Sequence, residues 1–345
     1  MMRCSFSALV FLFATAPSAL HAHPGHDHQR PASPEATIVE WVIGTLTMMQ
    51  PVEKSAPPLA KAFEPFAKKL KVAWDEKHLL VESNGMPDHL MMKGITNWQQ
   101  QVPLPQPYTG RNAWRIPLNP VLADKPISAK NALFRGAIAV AVNGVPIFNA
   151  LNNRGEDAFL IGELDEFGGH CGRADDYHYH AAPLHLQTVV GRGKPIAYAL
   201  DGFPIYGLTE ADGSPVGKLD EFNGKFGPDG TYRYHATKTY PYINGGLRGV
   251  VTVRGDQVEP QPRTIPVRPS LPPLRGARIT GFSTLANDSY RLTYEIRGQT
   301  RAVEYTVLND SAVKFVFDDG VGNRRTETYR RGDDRDPPRK GKRPE

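Results

Sequence analysis

Apolar and polar side chains alternate in the last part of the chain. Between residues 277 and 329, the runs RLTYEI, AVEYTVL and AVKFVF each follow a period of two. Short stretches rich in Asn, Asp and Gly separate these runs. A period of two buries one face of a strand, and Asn, Asp and Gly favour the tight turns of hairpins. The pattern predicts a small antiparallel β domain over residues 275–330.

A strand-like pattern of apolar and polar residues occurs twice in the middle of the chain. Residues 137–149 read AIAVAVNGVPIFN, and residues 195–207 read PIAYALDGFPIYG. Further on, residues 164–181 read LDEFGGHCGRADDYHYHA, and residues 219–236 read LDEFNGKFGPDGTYRYHA. A repeated unit of this size pairs with its twin to bury a shared core. We therefore predict a mainly β central domain with two related strand-loop-strand halves. The predicted halves are residues 137–181 and 195–236.

Prolines separate the central domain from the last domain. Residues 260–273 hold six prolines, which predicts an extended linker. The complete division is a signal peptide (1–22), a His-rich flexible leader (23–36), the central domain (37–259), the Pro-rich linker (260–274), the small β domain (275–330) and a disordered charged tail (331–345).

The first residues predict export. Arg3 precedes the apolar run FSALVFLFATA, which has about the length of a signal-peptide core and is too short to span a bilayer. Small residues lead to a cleavage site at Ala22. We expect a periplasmic or secreted protein without a membrane span. The leader that begins at His23 is either a solvated segment or a flexible metal-binding tail.

The distribution of charge gives little support for a nucleic-acid partner. The net charge is +5, but seven Lys and Arg residues against four Asp and Glu residues lie between Arg330 and Glu345. Much of the basic excess is thus in the tail, and we expect no nucleic-acid partner.

Removal of the signal peptide leaves Cys171 as the one cysteine, so an intramolecular disulfide is excluded and a hydrophobic core must stabilise the protein.

Histidine and tyrosine alternate from Tyr177 to His180. On a strand, side chains at alternate positions share a face, so His178 and His180 project together, with roots roughly 6–7 Å apart. We expect His170, in the glycine-rich loop before this strand, and His235, the repeat counterpart of His180, to complete a metal site. Zinc and copper both suit imidazole, and the sequence does not choose between them. The alternative is a hydrogen-bonded aromatic core without metal.

The two halves differ in these histidines. The second half has Lys225 and Arg233 where the first has His170 and His178. This difference predicts one site per chain, built mainly on the first half. An alternative role for the two cations is to bind an anionic substrate.

Cys171 follows His170 and aligns with the apolar Phe226. Because free cysteine often behaves as a small buried hydrophobe, we expect Cys171 to fill an apolar slot while His170 faces the site. The alternative is a thiolate ligand.

In these motifs the chain resembles the YHYH-domain family, a family of exported proteins. The resemblance covers roughly residues 80–250, and the second half departs from it by reading Tyr-Arg-Tyr-His. The family has no assigned activity, so the resemblance implies a module and no particular reaction. The motifs that carry it are Tyr177–His180, Asn143–Pro146, Gly169-His170, Asp201–Gly207, Asn244–Gly249, and the upstream segments 85–89 and 97–108.

Two classes of function fit these patterns. The favoured hypothesis is an exported metal-binding protein, acting if it is an enzyme as a hydrolase of an unknown small molecule, with Glu166 or Asp176 as base for a metal-activated water. The alternative is a non-catalytic binding module, in which Phe203, Tyr206 and Tyr240 form a platform for a glycan or protein partner. Histidine rings that point toward one another favour the first hypothesis, and rings that point outward favour the second.

Overall fold

The computed structural model describes residues 55–286 and 288–331. The predicted signal peptide and leader, and the predicted tail after Arg331, lie outside the described residues. Among those that are described, no helix is long and apolar enough to cross a membrane. Strands dominate this part of the chain, and the mainly β fold class is confirmed.

The first elements form a small antiparallel sheet in the order β1-β2-β3. Alternation explains its burial: Leu79 and Val81 are completely buried, whereas the residues between and beside them are half-buried. Two 3₁₀ helices, Pro58–Phe66 and Gly110–Asn112, flank the sheet. The strands of this sheet are β1 (Lys71–Trp74), β2 (His78–Glu82) and β3 (Trp114–Pro117). The next strand, β4 (Leu122–Ser128), belongs to another sheet.

An eight-stranded sheet forms the centre of the molecule. Its order is β11-β12-β10-β9-β5-β6-β8-β7, with β5 and β9 antiparallel in the middle. All five residues of β5 are buried, as expected of a continuous apolar run in a central strand. The elements are β5 (Ala137–Ala141), β6 (Pro146–Phe148), β7 (Gly169–Cys171), β8 (Tyr177–Tyr179), α1 (Leu186–Val190), β9 (Ala197–Ala199), β10 (Pro204–Tyr206), β11 (Gly224–Phe226) and β12 (Tyr232–His235).

The two halves of this sheet have the same strand pairing. In one half, β5 is antiparallel to β6, β6 is parallel to β8, and β8 is antiparallel to β7. In the other half, β9, β10, β12 and β11 pair in the same way. Hydrogen bonds correspond too: the Tyr177 hydroxyl donates to Asp165 at 2.7 Å, and the Tyr232 hydroxyl donates to Asp220 at 2.9 Å. Each half therefore fixes its glycine-rich loop through one aspartate and one tyrosine.

The remaining strands complete three further sheets. β13 (Gly246–Gly249) pairs with β4, and β14 (Thr252–Arg254) pairs with β15 (Gln257–Glu259). A five-stranded antiparallel sheet follows in sequence order, which confirms the predicted C-terminal antiparallel sheet. Its strands are β16 (Ala277–Ala286), β17 (Ser289–Ile296), β18 (Gln299–Asn309), β19 (Ala312–Asp318) and β20 (Arg324–Arg330).

The Pro-rich segment is anchored by Arg268. The Arg268 side chain is 4% exposed, and it donates two hydrogen bonds of 2.8 Å to the carboxylate of Asp175, just before β8. The guanidinium also lies 4.5 Å from the centre of the Phe315 ring in the C-terminal sheet. The hydroxyl of Tyr305, in the same sheet, donates to the carbonyl of Pro103 at 2.8 Å. These contacts hold the Pro-rich segment and the last sheet against the central part of the protein.

The two tyrosine–aspartate pairs predict unequal effects on stability. Asp165 is buried and Asp220 is exposed. Tyr177→Phe leaves a buried carboxylate without one partner, so we expect it to lower the free energy of unfolding by about 1–3 kcal/mol. Tyr232→Phe removes the same bond from an exposed carboxylate and is expected to cost less than about 1 kcal/mol. Urea unfolding of both variants measures the difference, and equal losses would contradict the assignment.

Candidate metal centre

Strand pairing brings three histidines together. β7 and β8 are antiparallel with His170 directly opposite His178, and alternation places His180 on the same face as His178. The Nε2 atom of His180 lies 3.0 Å from that of His170 and 3.1 Å from that of His178. One ring nitrogen from each residue lies within 4.8 Å of the others. We call these three residues the histidine cluster.

The outer nitrogens of two of these rings are fixed by backbone carbonyls. Nδ1 of His178 lies 3.0 Å from the Asp176 carbonyl oxygen, and Nδ1 of His180 lies 2.5 Å from that of Asn149. A carbonyl oxygen only accepts, so each Nδ1 carries a proton and each Nε2 presents a lone pair. Phe148 stacks on the His178 ring at 3.9 Å and restrains its orientation. Two lone pairs therefore face each other unless a proton or a cation lies between them.

Burial favours the neutral form of two histidines of the cluster, His170 and His180. Desolvation, reinforced by the neighbouring histidines, lowers the pKa of His170 well below its usual range and lowers the pKa of His180 to about 3. Neutral imidazole is the form that binds metals. Zinc bound to nitrogen at 2.0–2.1 Å in a tetrahedral site separates two ligand nitrogens by about 3.3 Å. The observed separations of 3.0 and 3.1 Å are close to that spacing.

The two carboxylates predicted as bases lie in different places. Asp176 lines a cavity of 1090 Å³ beside the histidine cluster, and its Oδ2 atom is 3.5 Å from Nδ1 of His178. Glu166 is exposed in the turn before β7 and does not line this cavity. Glu163 does line it and is 1% exposed, with its carboxylate accepting from Arg154 at 2.6 Å. No sequence pattern had separated Glu163 from an ordinary surface glutamate.

His235, predicted as a fourth ligand, does not belong to the cluster. It lies at the end of β12, and β10, β9, β5 and β6 separate that strand from β8. Its Nδ1 atom bonds to the Gly207 carbonyl at 3.2 Å, as Nδ1 of His180 bonds to Asn149 in the other half. The correspondence of the two halves in sequence thus located an equivalent position and not a shared site.

Charged side chains occupy the equivalent position in the second half. The Glu210 carboxylate accepts hydrogen bonds from Lys225 Nζ and, at 3.2 Å, from Arg233 Nη2. These cations stand where the first half has His170 and His178. The second half is therefore internally charge-paired, whereas three imidazole rings face one another in the first half.

Cys171 lies outside the cluster of ligand atoms. Its thiol is free and buried, and burial raises the pKa of the thiol well above its usual range. The aligned Phe226 is 54% exposed, so the two positions do not share an apolar slot. Cys171 nevertheless lies in the hydrophobic core, opposite Tyr177 across β7 and β8.

His185 follows the cluster closely in sequence but packs elsewhere. Its ring makes an edge contact of 4.8 Å with His89, which stacks on Phe167 at 3.9 Å and is hydrogen-bonded to the Tyr179 hydroxyl at 2.8 Å. Burial lowers the pKa of both His89 and His185 to about 4. This pair is an aromatic contact around Tyr179 and adds no ligand to the histidine cluster.

The aromatic residues predicted as a platform do not share an exposed surface. Phe203 is 4% exposed and packs against Tyr232 at 5.4 Å. Tyr206 stacks on His235 at 5.6 Å, and only Tyr240 is well exposed, at 40%.

Comparison with known proteins gives one match. The family model described as YHYH protein matches residues 113–216. Neither a curated protein nor a solved structure matches the chain. The matched segment includes β5–β8 and all three residues of the histidine cluster. The resemblance inferred from the sequence is confirmed over this segment, and the chain carries the YHYH protein family's domain in residues 113–216.

Proposed function

We propose that the histidine cluster binds one divalent metal ion, zinc or copper, and that the protein is an exported metal-binding protein with a hydrolytic site. One observation carries this proposal: the Nε2 atoms of two buried histidines and the half-buried His170 converge while backbone carbonyls hold two of the rings by their other nitrogen. A metal ion between the rings removes the repulsion of the lone pairs. Export to the periplasm or the cell exterior rests on the N-terminal sequence.

The difference between the halves supports a single site. We propose that the halves are copies of one unit and that Lys225 and Arg233 supply in the second copy the positive charge that a metal supplies in the first. Glu210 balances these cations in the second copy. In the first copy, His170 and His178 stand at these two positions in place of a lysine and an arginine.

The proposed chemistry is hydrolysis by metal-activated water. Three histidine ligands leave a coordination position for water, and a metal lowers the pKa of that water to about 7. Asp176 lines the cavity and serves in this proposal as the base, a role that the exposed Glu166 is badly placed to fill. The alternative of a glycan- or protein-binding platform has less support, because Phe203 is buried and the histidine rings point toward one another.

Removal of a ligand is expected to remove the metal. Protein purified without an affinity tag should contain about one zinc or copper ion per chain by elemental analysis, and His178→Ala or His180→Ala should lose it. Acidification should release the ion only as the pH falls toward about 3, because protons compete for the His180 imidazole only near its lowered pKa.

His185→Ala is the matched control for this experiment. It removes a half-buried histidine outside the cluster and should retain the metal. Unfolding curves for all variants separate ligand loss from misfolding. A metal-free wild-type protein, or full occupancy in either ligand variant, would refute the site.

The relation between the halves predicts that a second site can be built. Lys225→His with Arg233→His restores the two missing imidazoles beside His235, whose Nδ1 atom is already held by Gly207. Glu210→Asn removes the carboxylate that would lose its partners and copies the Asn152 of the first half. We expect the triple variant to bind two ions per chain instead of one.

The double variant Lys225→His with Glu210→Asn is the control for the designed site and should still bind one ion, because it supplies only two ligands and two ligands do not make a tight site. Elemental analysis and metal titration measure the stoichiometry. A folded triple variant that binds one ion would show that the two positions are not equivalent.

A further inference from the structure

We propose that the cavity beside the histidine cluster binds an anionic small molecule, bearing phosphate or carboxylate groups, through arginines at its rim. This inference names the substrate class of the proposed hydrolytic site and to that extent rests on the proposed function. The cavity volume of 1090 Å³ slightly exceeds the usual range for small-molecule sites, which is about 300–1,000 Å³. It therefore has room for a substrate with several polar groups.

Charged residues of both signs line this cavity, with arginine in excess. Six arginines and four carboxylates contribute to its walls. The arginines are Arg135, Arg154, Arg173, Arg254, Arg263 and Arg268, and the acidic residues are Glu163, Asp176, Asp256 and Glu259.

The carboxylates already have partners within the protein. Glu163 accepts from Arg154 at 2.6 Å. The two oxygens of Asp256 accept the backbone N–H groups of Leu133 and Phe134 at 2.7 and 3.0 Å. Glu259 accepts from the Gln257 amide at 3.1 Å, and Asp176 accepts the Ala174 N–H at 3.1 Å. Their capacity to neutralise nearby arginines is thus partly used.

Four of the arginines have no acidic partner among the described residues. Arg154 and Arg268 form ion pairs, but Arg135, Arg173, Arg254 and Arg263 form none, and all four are exposed. They come from four separate segments: the approach to β5, the turn between β7 and β8, the end of β14 and the Pro-rich segment. Free guanidinium groups on several sides of one cavity suit an oxyanion, which arginine binds through paired N–H donors.

The histidine cluster fits the same ligand class. Its imidazole rings add no negative charge to the cavity, and a bound metal ion would add positive charge. An anionic group would therefore be drawn toward the centre at which the proposed water attacks. Arg173 is the free arginine closest to the cluster in sequence, since it lies in the turn that joins His170 to His178.

Three sugars of similar size test the proposal: glucose 6-phosphate, glucuronate and neutral glucose. Calorimetric titration uses the full-length, metal-free protein at low ionic strength, so that the arginines alone are probed. We expect at least one of the anionic sugars to bind, with an affinity that falls as salt is added, and glucose to give no signal. The phosphate and carboxylate arms identify which group is preferred.

A triple variant, Arg173→Gln with Arg254→Gln and Arg263→Gln, should weaken binding of the preferred anion by about tenfold or more, since one exposed charge pair contributes up to about fivefold. The control Arg278→Gln removes an exposed arginine of β16 that does not line the cavity, and it should bind as the wild type does. Wild-type affinity in the triple variant, equal loss in the control, or equally tight binding of glucose would overturn the proposal.

The same titration, repeated on zinc-loaded wild-type protein and on His178→Ala, separates this inference from the proposed function. Arginine-dependent binding in that variant, together with a wild-type protein that holds no metal, would keep the anion site and remove the metal site. Binding that needs the metal and is unchanged in the triple arginine variant would overturn the anion site and leave the metal site intact.

Discussion

Two backbone carbonyls determine the character of the histidine cluster. The oxygens of Asp176 and Asn149 hold the Nδ1 protons of His178 and His180, and this turns the two Nε2 lone pairs toward each other. Because these carbonyls come from different segments, the tautomers depend on the fold as a whole and not on the Tyr-His-Tyr-His motif alone. Strand pairing brings the rings together, but the carbonyls decide that lone pairs, rather than protons, meet at the centre.

A buried ion pair between Asp175 and Arg268 stabilises the turn that joins β7 to β8. Asp175 adopts a left-handed backbone conformation with φ 59° in the turn between β7 and β8. Such a conformation is unfavourable for most residues, and side-chain contacts stabilise it here: the carboxylate accepts from Arg268 and from the Val102 N–H at 2.9 Å. The turn that sets His170 opposite His178 is thereby tied to the Pro-rich segment. That segment also forms part of the cavity wall, so the site and its surroundings share one support.

Local sequence patterns predicted the strands well but did not predict contacts between distant segments. The runs RLTYEI, AVEYTVL and AVKFVF lie within β17, β18 and β19, because a period of two suffices to define a half-buried strand. The common face of His178 and His180 follows from the same rule. Glu163 and Arg268 could not be found in this way, since their roles arise from contacts between distant segments. His235 was misplaced as a ligand because sequence correspondence gives equivalence but not proximity.

The two halves of the central sheet also act as a comparison within one molecule. Both place an imidazole at the same position, with Nδ1 bonded to a carbonyl, and the neighbouring positions differ only in side-chain chemistry. Where those neighbours are lysine and arginine, a glutamate is present to balance them. Where those neighbours are histidines, the uncharged Asn152 takes the place of Glu210. No carboxylate oxygen of the described residues lies among the converging ring nitrogens. A backbone that accommodates two cations in one half therefore offers in the other half a compact set of imidazole donors, which is the arrangement that one metal ion would satisfy.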